Sequence, residues 1–453
     1  MAKKLFGTDG VRGVANEKVT PELAFSLGQW AGARLTPGSK VLIGRDTRRS
    51  GPMLGAALSA GFCSAGVNVD AIGVAPTGAI SYLTRTEGYA LGLVISASHN
   101  PAPDNGIKFL GADGRKVSDE FERELEAALD GNYESRPTGS EVGLLSQPAG
   151  LVEKYMTYLE TLVPECLDGM MLLVDGSHGA AYELGPEIFR RLGAKVSVTG
   201  TNPDGMNINS GCGATHPATI QDGVLGGPYT LAIAFDGDAD RAVFCDGQGR
   251  LINGDRAMAI WAKHWKPEPA VVVGTVMSNG GFAKYLTDKG MHLERVDVGD
   301  KYVAAAMERL SAKVGGEQSG HIIFSERGPT GDGLITALEV LRVLKREGRS
   351  ATELYDEFEN WPQLLVNVQV ARKDGWETNP SVQTSLKEAE ARVSGRGRVN
   401  VRASGTQPML RVMVEADDAS LRDAVSHAIV SSLLNELGGT IYSRVDLTHA
   451  LGD

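Results

Sequence analysis

The stretch Leu91-Gly92-Leu93-Val94-Ile95-Ser96-Ala97-Ser98-His99-Asn100-Pro101 sets the architecture. Its apolar start has no polar alternation. It reads as a strand buried on both faces, as in a parallel sheet covered by helices. Asn100-Pro101 ends it, because the residue before proline is driven out of helical geometry. Ser98 therefore belongs on a turn at the carboxyl end of a strand, where open α/β sheets bind their ligands. The same rhythm recurs to either side. Val41 to Asp46 is a short strand ending in Gly44-Arg45-Asp46-Thr47-Arg48, and a small-residue helix from Pro52 to Ala65 follows. Phe121, Leu125 and Leu129 share one face of a helix over Ser118 to Leu129. Residues 131–150, rich in Gly, Ser and Pro, read as a linker.

A second unit opens with the strand at Met171-Leu172-Leu173-Val174-Asp175, and a later strand, Leu231 to Phe235, runs into Asp236-Gly237-Asp238-Ala239-Asp240-Arg241. In a third unit Val271 to Val276 is a strand. Lys313 to His321 is another strand exit with a polar loop, and Gly333 to Arg346 is a helix with Leu334, Leu338, Leu341 and Leu344 inward. From Gln363 the period changes to two, at Val366 to Val370, Arg398 to Arg402 and Leu410 to Glu415. That alternation predicts a half-exposed antiparallel sheet, with a helix from Leu421 to Leu437 over it. The expected class is α/β: three related domains with mixed sheets, at 1–148, 149–249 and 250–362, and a C-terminal α+β domain at 363–453.

At 453 residues the chain exceeds what one core supports. Its 42% apolar and 22% charged content are ordinary for a globular protein. A net charge of −11 argues against a general nucleic-acid surface, though not against an anionic substrate held by local arginines. Cys63, Cys166, Cys212 and Cys245 form no CxxC, so reduced thiols and a cytoplasmic location are expected. Met1 to Gly7 has no apolar stretch typical of a signal peptide, and no run of about 18 apolar residues predicts a membrane span. P-loop, GxGxxG and GxSxG patterns are all missing, which counts against nucleotide binding and a hydrolase triad.

Four loops carry chemistry. Asp236, Asp238 and Asp240, at i, i+2 and i+4 of an extended segment, would face one side and converge on a cation. Mg²⁺ takes such hard oxygen ligands and completes its shell with phosphate. A calcium loop started at Asp236 fails, because Arg241 and Gly247 stand where Gly and Glu are required. A solvated acidic turn is the competing reading. Arg241 beside the carboxylates can grip phosphate. Ser98, alone, could be a turn former, with His99 its base or a packing residue. Downstream, Asn105-Gly106-Ile107-Lys108 suggests a tight turn returning a lysine to the same strand end, to neutralise phosphate or move a proton; a surface lysine on a hairpin is the alternative. Glu317-Gln318-Ser319-Gly320-His321 offers the carboxylate, amide, hydroxyl and imidazole that bind sugar hydroxyls, or else a polar loop with a core histidine. Arg402-Ala403-Ser404-Gly405-Thr406-Gln407-Pro408 with Arg411 makes a phosphate cradle between two strands, or a plain hairpin with two exposed arginines.

These motifs together, with Phe6-Gly7-Thr8-Asp9-Gly10-Val11-Arg12-Gly13, resemble the α-D-phosphohexomutase superfamily over essentially the whole chain and in the family's order. Gln318, the Asn207-Ile208-Asn209 and Cys212 to Pro217 segments, and Gly44 to Arg48 are similar to its bacterial branch acting on glucosamine phosphates. The resemblance implies a heart-shaped, four-domain chain with a central cleft. It implies an isomerase of the cytoplasm that interconverts glucosamine 6-phosphate and glucosamine 1-phosphate through a 1,6-bisphosphate, supplying UDP-N-acetylglucosamine for cell-wall precursors. Ser98 would be the phosphoserine, and Mg²⁺ would be held by its phosphate with Asp236, Asp238 and Asp240. Arg12, Lys108 and Arg241 would surround the transferring phosphoryl group, with Lys108 or His321 carrying the proton. Glu317 and Ser319 would bind sugar hydroxyls. Arg402, Ser404, Gly405, Thr406 and Arg411 would hold the far phosphate. Glucosamine or glucose 1,6-bisphosphate would be intermediate and activator. The implied partner is a small phosphosugar, with no nucleic acid or membrane, for a monomer or homodimer. Gln407 departs from the family's usual Glu, and Arg49 from its usual Leu or Ile. The alternatives are a glucose or mannose phosphate mutase, a phosphatase with an aspartyl nucleophile, and a non-catalytic sugar-phosphate binder.

Overall fold

A computed structural model describes residues 5–7, 9–131, 133, 136–371, 375–404, 408–449 and 451. The chain divides into two compact units, Met1–Val276 with Glu294–Tyr355, and Met277–Leu293 with Asp356–Asp453. The described strands form four sheets. The first contains β1 (Val11–Val14), β2 (Lys40–Arg45), β3 (Asn68–Val74), β4 (Leu91–Ile95), β5 (Asp104–Gly111) and β6 (Leu145–Ser146), in the order β1-β5-β4-β2-β3-β6. The second contains β7 (Met171–Asp175), β8 (Lys195–Thr199), β9 (Leu231–Phe235), β10 (Ala242–Cys245) and β11 (Leu251–Ile252), in the order β11-β10-β9-β7-β8. The third contains β12 (Val271–Thr275), β13 (His292–Val296), β14 (Val314–Gly316) and β15 (Ile322–Phe324), in the order β13-β12-β14-β15. The fourth contains β16 (Gln363–Gln369), β17 (Gly397–Ala403), β18 (Met409–Ala416) and β19 (Thr440–Asp446), in the order β17-β18-β16-β19.

The first three sheets share one design. Parallel strands run up to a last member, and the next strand in sequence turns back beside it antiparallel. That reversal is β4 to β5, β9 to β10 and β14 to β15. Each reversal leaves a short connection at the carboxyl end of a buried strand. β4 and β9 are buried at every position, as their unbroken apolar runs require. The fourth sheet is antiparallel throughout, matching its period-two sequence.

Two expectations change. Residues 131–150 are more than a linker, because β6 within them pairs parallel to β3 and becomes the sheet's edge. Asp104–Gly111 is a full strand rather than a tight hairpin turn. It pairs Val94 with Lys108 and Ile95 with Ile107, which takes Lys108 inside.

Small residues let the helices beside the first sheet close up. A Cβ on Gly28 would come within 2.3 Å of the Leu58 carbonyl, and one on Gly61 within 2.1 Å of the Phe25 carbonyl. The helices Pro21–Gly32 and Gly51–Ser64 therefore pack backbone to backbone over a core that includes Leu54, Phe62, Leu93 and Phe109. In the C-terminal unit Val366, Leu410, Val412, Val425 and Ile429 form the core between sheet and helices. All four cysteines are free thiols. No helix among the described residues is long and apolar enough to cross a membrane.

Candidate functional site

The three strand-reversal loops of the first unit come together. Ser98, buried on the turn after β4, donates its hydroxyl to Asp236 Oδ2 at 2.6 Å, 138 residues away. His321 forms a bridge with Arg241, and the Ala242 amide donates to the Gly320 carbonyl at 3.1 Å. The first two loops approach so closely that a Cβ on Gly237 would lie 2.4 Å from the Ser98 carbonyl, so only glycine fits there.

Asp236 to Asp240 is a turn, not the extended segment that was expected. Ala239 adopts φ 55°, and its amide closes onto the Asp236 carbonyl at 3.1 Å. Convergence comes from that curl: one oxygen from each of Asp236, Asp238 and Asp240 lies within 4.8 Å of the others. All three side chains are buried. Ser98 likewise has a left-handed backbone, φ 50°, which costs a non-glycine residue roughly 1–2 kcal/mol. Strain of this kind clusters where a side chain must be aimed.

The electrostatics are those of a cation site. Burial, then Asp240 and Asp238, push the Asp236 carboxyl well above its usual range. Burial also works to raise Asp240, but Lys108 and then His321 outweigh it and hold that carboxyl well below the usual range. Lys108 Nζ sits 3.5 Å from both Asp238 and Asp240. Burial would drive its proton off, yet Asp238, Asp240 and Asp9 hold it on. His321 Nδ1 lies 3.5 Å from Asp240 Oδ2; despite burial, that carboxylate lifts the imidazole to about 9. Asp238 Oδ1 and Asp240 Oδ1 are buried and accept no hydrogen bond. Orphaned carboxylate oxygens beside a carboxyl that resists ionising are the donor set a hard divalent cation would satisfy.

The remaining expected residues sort by unit. In the first, Arg12 on β1 pairs with Asp9 at 3.1 Å, and Arg241 gives its amide to Asp236 Oδ1 at 3.1 Å. Glu317 to His321 joins β14 to β15 as a hairpin connection. Glu317 accepts the Gly299 amide at 2.9 Å, and Ser319 is buried. In the second unit Arg402 and Arg411 face each other across β17 and β18, and the Ser404 amide closes the hairpin on the Met409 carbonyl at 2.8 Å. Gly405, Thr406 and Gln407 lie outside the described residues. Sequence reasoning missed Thr77, whose hydroxyl donates to Asp238 Oδ2 at 2.8 Å from a helix 161 residues upstream. It also gave no role to Asp9 or to Asn209, although both lie in quoted motifs.

Comparisons with known proteins agree with this geometry. Family models described as phosphoglucomutase/phosphomannomutase match as alpha/beta/alpha domain I at residues 3–136, alpha/beta/alpha domain III at 253–361, and the C-terminal domain at 365–432. The phosphoglucosamine mutase of Symbiobacterium thermophilum is 47% identical over 96% of this chain and 99% of its own. That of Bacillus subtilis is 45% identical over the same shares. Among solved structures, a phosphoglucomutase/phosphomannomutase family protein of Burkholderia thailandensis has a similar fold. Its TM-score is 0.81 at 23% identity, covering 97% of this chain and all of that one. The N-acetylphosphoglucosamine mutase of Aspergillus fumigatus, solved with GlcNAc-6P and magnesium, matches with a TM-score of 0.66 at 18% identity, covering 96% of each chain. The chain thus belongs to the α-D-phosphohexomutase superfamily, in its bacterial phosphoglucosamine mutase branch.

Proposed function

We propose that this protein is an isomerase that interconverts glucosamine 6-phosphate and glucosamine 1-phosphate through a phosphoserine at Ser98. Relatives named for that activity, at 43–47% identity over nearly the whole chain, support the reaction class. The observation that carries the assignment to residues is the 2.6 Å contact between the Ser98 hydroxyl and Asp236, inside a triad with orphaned oxygens.

Asp236, Asp238 and Asp240 would hold Mg²⁺ together with a phosphate oxygen on Ser98. Bound there, the ion supplies charge stabilisation for the equatorial oxygens during transfer. Lys108, Arg12 and Arg241 add fixed positive charge around the phosphoryl group, which carries close to two negative charges. In the forward step the bond from Ser98 Oγ to phosphorus breaks. A new one forms to the anomeric oxygen of glucosamine 6-phosphate, and Lys108 or His321, both protonated at rest, carries the proton: it gives one to Ser98 Oγ as phosphorus leaves and regains one from the attacking hydroxyl. The resulting 1,6-bisphosphate turns around, and its 6-phosphoryl group returns to Ser98 Oγ, leaving glucosamine 1-phosphate. Glu317 and Ser319 orient sugar hydroxyls. Arg402, Ser404 and Arg411, with Gly405 and Thr406, anchor the phosphate that is not reacting.

The test is coupled turnover on glucosamine, glucose and mannose 6-phosphates, with Mg²⁺ and a hexose 1,6-bisphosphate activator. The expected result is a kcat/KM for glucosamine 6-phosphate at least tenfold above the others, about what one well-used hydrogen bond supplies. A clear preference for glucose or mannose would overturn the substrate assignment.

A further inference from the structure

Arg48 is wholly buried, and its guanidinium makes five local hydrogen bonds. Nε donates to Asp46 Oδ2 at 2.8 Å. Nη1 donates to the carbonyls of Pro101 at 2.5 Å and Asp104 at 3.0 Å. Nη2 donates to the carbonyls of Ser98 at 2.9 Å and Asn100 at 2.7 Å. Asp46 also accepts the Arg48 amide at 2.9 Å and the Ser96 hydroxyl at 2.5 Å, and Ser96 Oγ accepts the Ser98 amide at 2.9 Å. From the second domain Asn209 Nδ2 reaches the same two carbonyls, Ser98 at 2.9 Å and Asn100 at 3.3 Å, while its own amide is fixed on the Ser177 carbonyl at 2.9 Å.

Both peptide groups of Ser98 are therefore held. Its N–H goes to Ser96, which Asp46 orients; its carbonyl goes to Arg48 and Asn209. Neutralising Asp46 would need one cationic contact. The other four bonds grip carbonyls spread over residues 98–104, and that reach needs a planar fork with five donors. An ammonium has three donors and cannot span the set.

We infer that Arg48, assisted by Asn209, is a positioning residue for the reaction: it locks the left-handed turn that aims Ser98 Oγ at Asp236 and at the incoming sugar hydroxyl. This rests on Ser98 being the phosphoryl carrier. Neither side chain is among the groups assigned to the sugar phosphate, so their loss acts on the transfer step and spares substrate binding. Alignment errors of about an ångström cost on the order of a hundredfold in rate.

The test compares full-length Arg48→Lys and Asn209→Ala with the unmodified protein, all loaded with phosphate by the 1,6-bisphosphate. Steady-state turnover and single-turnover transfer from the phosphorylated protein to glucosamine 6-phosphate are both measured. Arg48→Lys is expected to lower kcat and the single-turnover rate about a hundredfold, and Asn209→Ala about tenfold, with KM within about threefold. If Arg48→Lys does not fold, Asn209→Ala decides alone. Folded variants with kcat within about twofold of the unmodified protein, or a KM that rises in step with the rate loss, overturn the inference. Absence of both turnover and phosphoserine 98 in the unmodified protein would instead overturn the functional reading, and this inference with it.

Discussion

Asp46 and Asp236 occupy equivalent places: each follows the last residue of a parallel strand, and neither is exposed to solvent. Their surroundings are opposite. Asp46 is closed, with a guanidinium, a hydroxyl and an amide filling its oxygens. Asp236 has a hydroxyl and an amide, but its nearest charges include two more carboxylates with orphaned oxygens. One fold position thus yields a finished internal ion pair and an unfinished one. A buried carboxylate signals function when its own chain leaves it short of partners, not merely because it is buried.

The largest effect expected from testing this contrast is at the residue the open acid contacts. Ser98→Ala should reduce turnover by roughly 10⁴-fold or more, as loss of a covalent carrier does, while sugar-phosphate binding persists in calorimetry. Asp236→Asn should cost about 10³-fold in kcat, within the several kcal/mol that a bound metal supplies, and should abolish the Mg²⁺-dependent rise in melting temperature. With metal chelated, the same substitution should leave the melting temperature unchanged or higher, because burial and its neighbours already disfavour the charge. Asp46→Asn should do the reverse. It strands the Arg48 charge, and breaking such a buried pair costs about 3–5 kcal/mol, readable by denaturant unfolding with or without Mg²⁺. Equal stability losses in the two variants would remove the distinction.

Asp332 is an intermediate case. It caps the helix Gly333–Glu347 through the Leu334 and Ile335 amides and accepts the Tyr155 hydroxyl at 2.7 Å, yet burial lifts it to about 6. An acid raised in the folded state costs stability as it ionises, between its ordinary value of 3.8 and about 6. Asp332→Asn removes that cost while keeping an oxygen for the cap. The stability of the variant relative to the unmodified protein should therefore climb as pH rises through that window and level off above it. The gain should be on the order of 3 kcal/mol at most. A difference that is flat with pH would show that Asp332 is already ionised at little cost.

What could be read in advance followed from local rules. The unbroken apolar runs of β4 and β9 required buried strands, and Asn100-Pro101 required a stop, so Ser98 and Asp236 were placed at strand ends correctly. The period-two pattern after Gln363 gave the antiparallel sheet. What could not be read depends on contacts distant in sequence. Lys108 is expected back at the Ser98 strand end, but by way of a tight turn, because Asn105-Gly106 reads as one. Pairing with β4 instead extends the segment, and three carboxylates compensate the buried ammonium. The Asp236 loop looked extended because a left-handed Ala239 has no signature in its own side chain. Thr77 carried no local mark, since only folding brings a helix from the first sheet against Asp238. Arg48 stood inside a motif, but its role needed the carbonyls of a loop 50 residues downstream.

Whether Ser98 is the phosphoryl carrier is tested by intact and peptide mass spectrometry of the active protein carrying isotope-labelled phosphate, before and after a single turnover with unlabelled glucosamine 6-phosphate, because the phosphoryl group that returns to the protein is then unlabelled. The expected result is one acid-stable phosphate on Ser98, transferred to the sugar at a rate no slower than kcat and absent from Ser98→Ala. A fully active protein with no phosphate at that position, or with a hydroxylamine-labile acyl phosphate on Asp236, would contradict it.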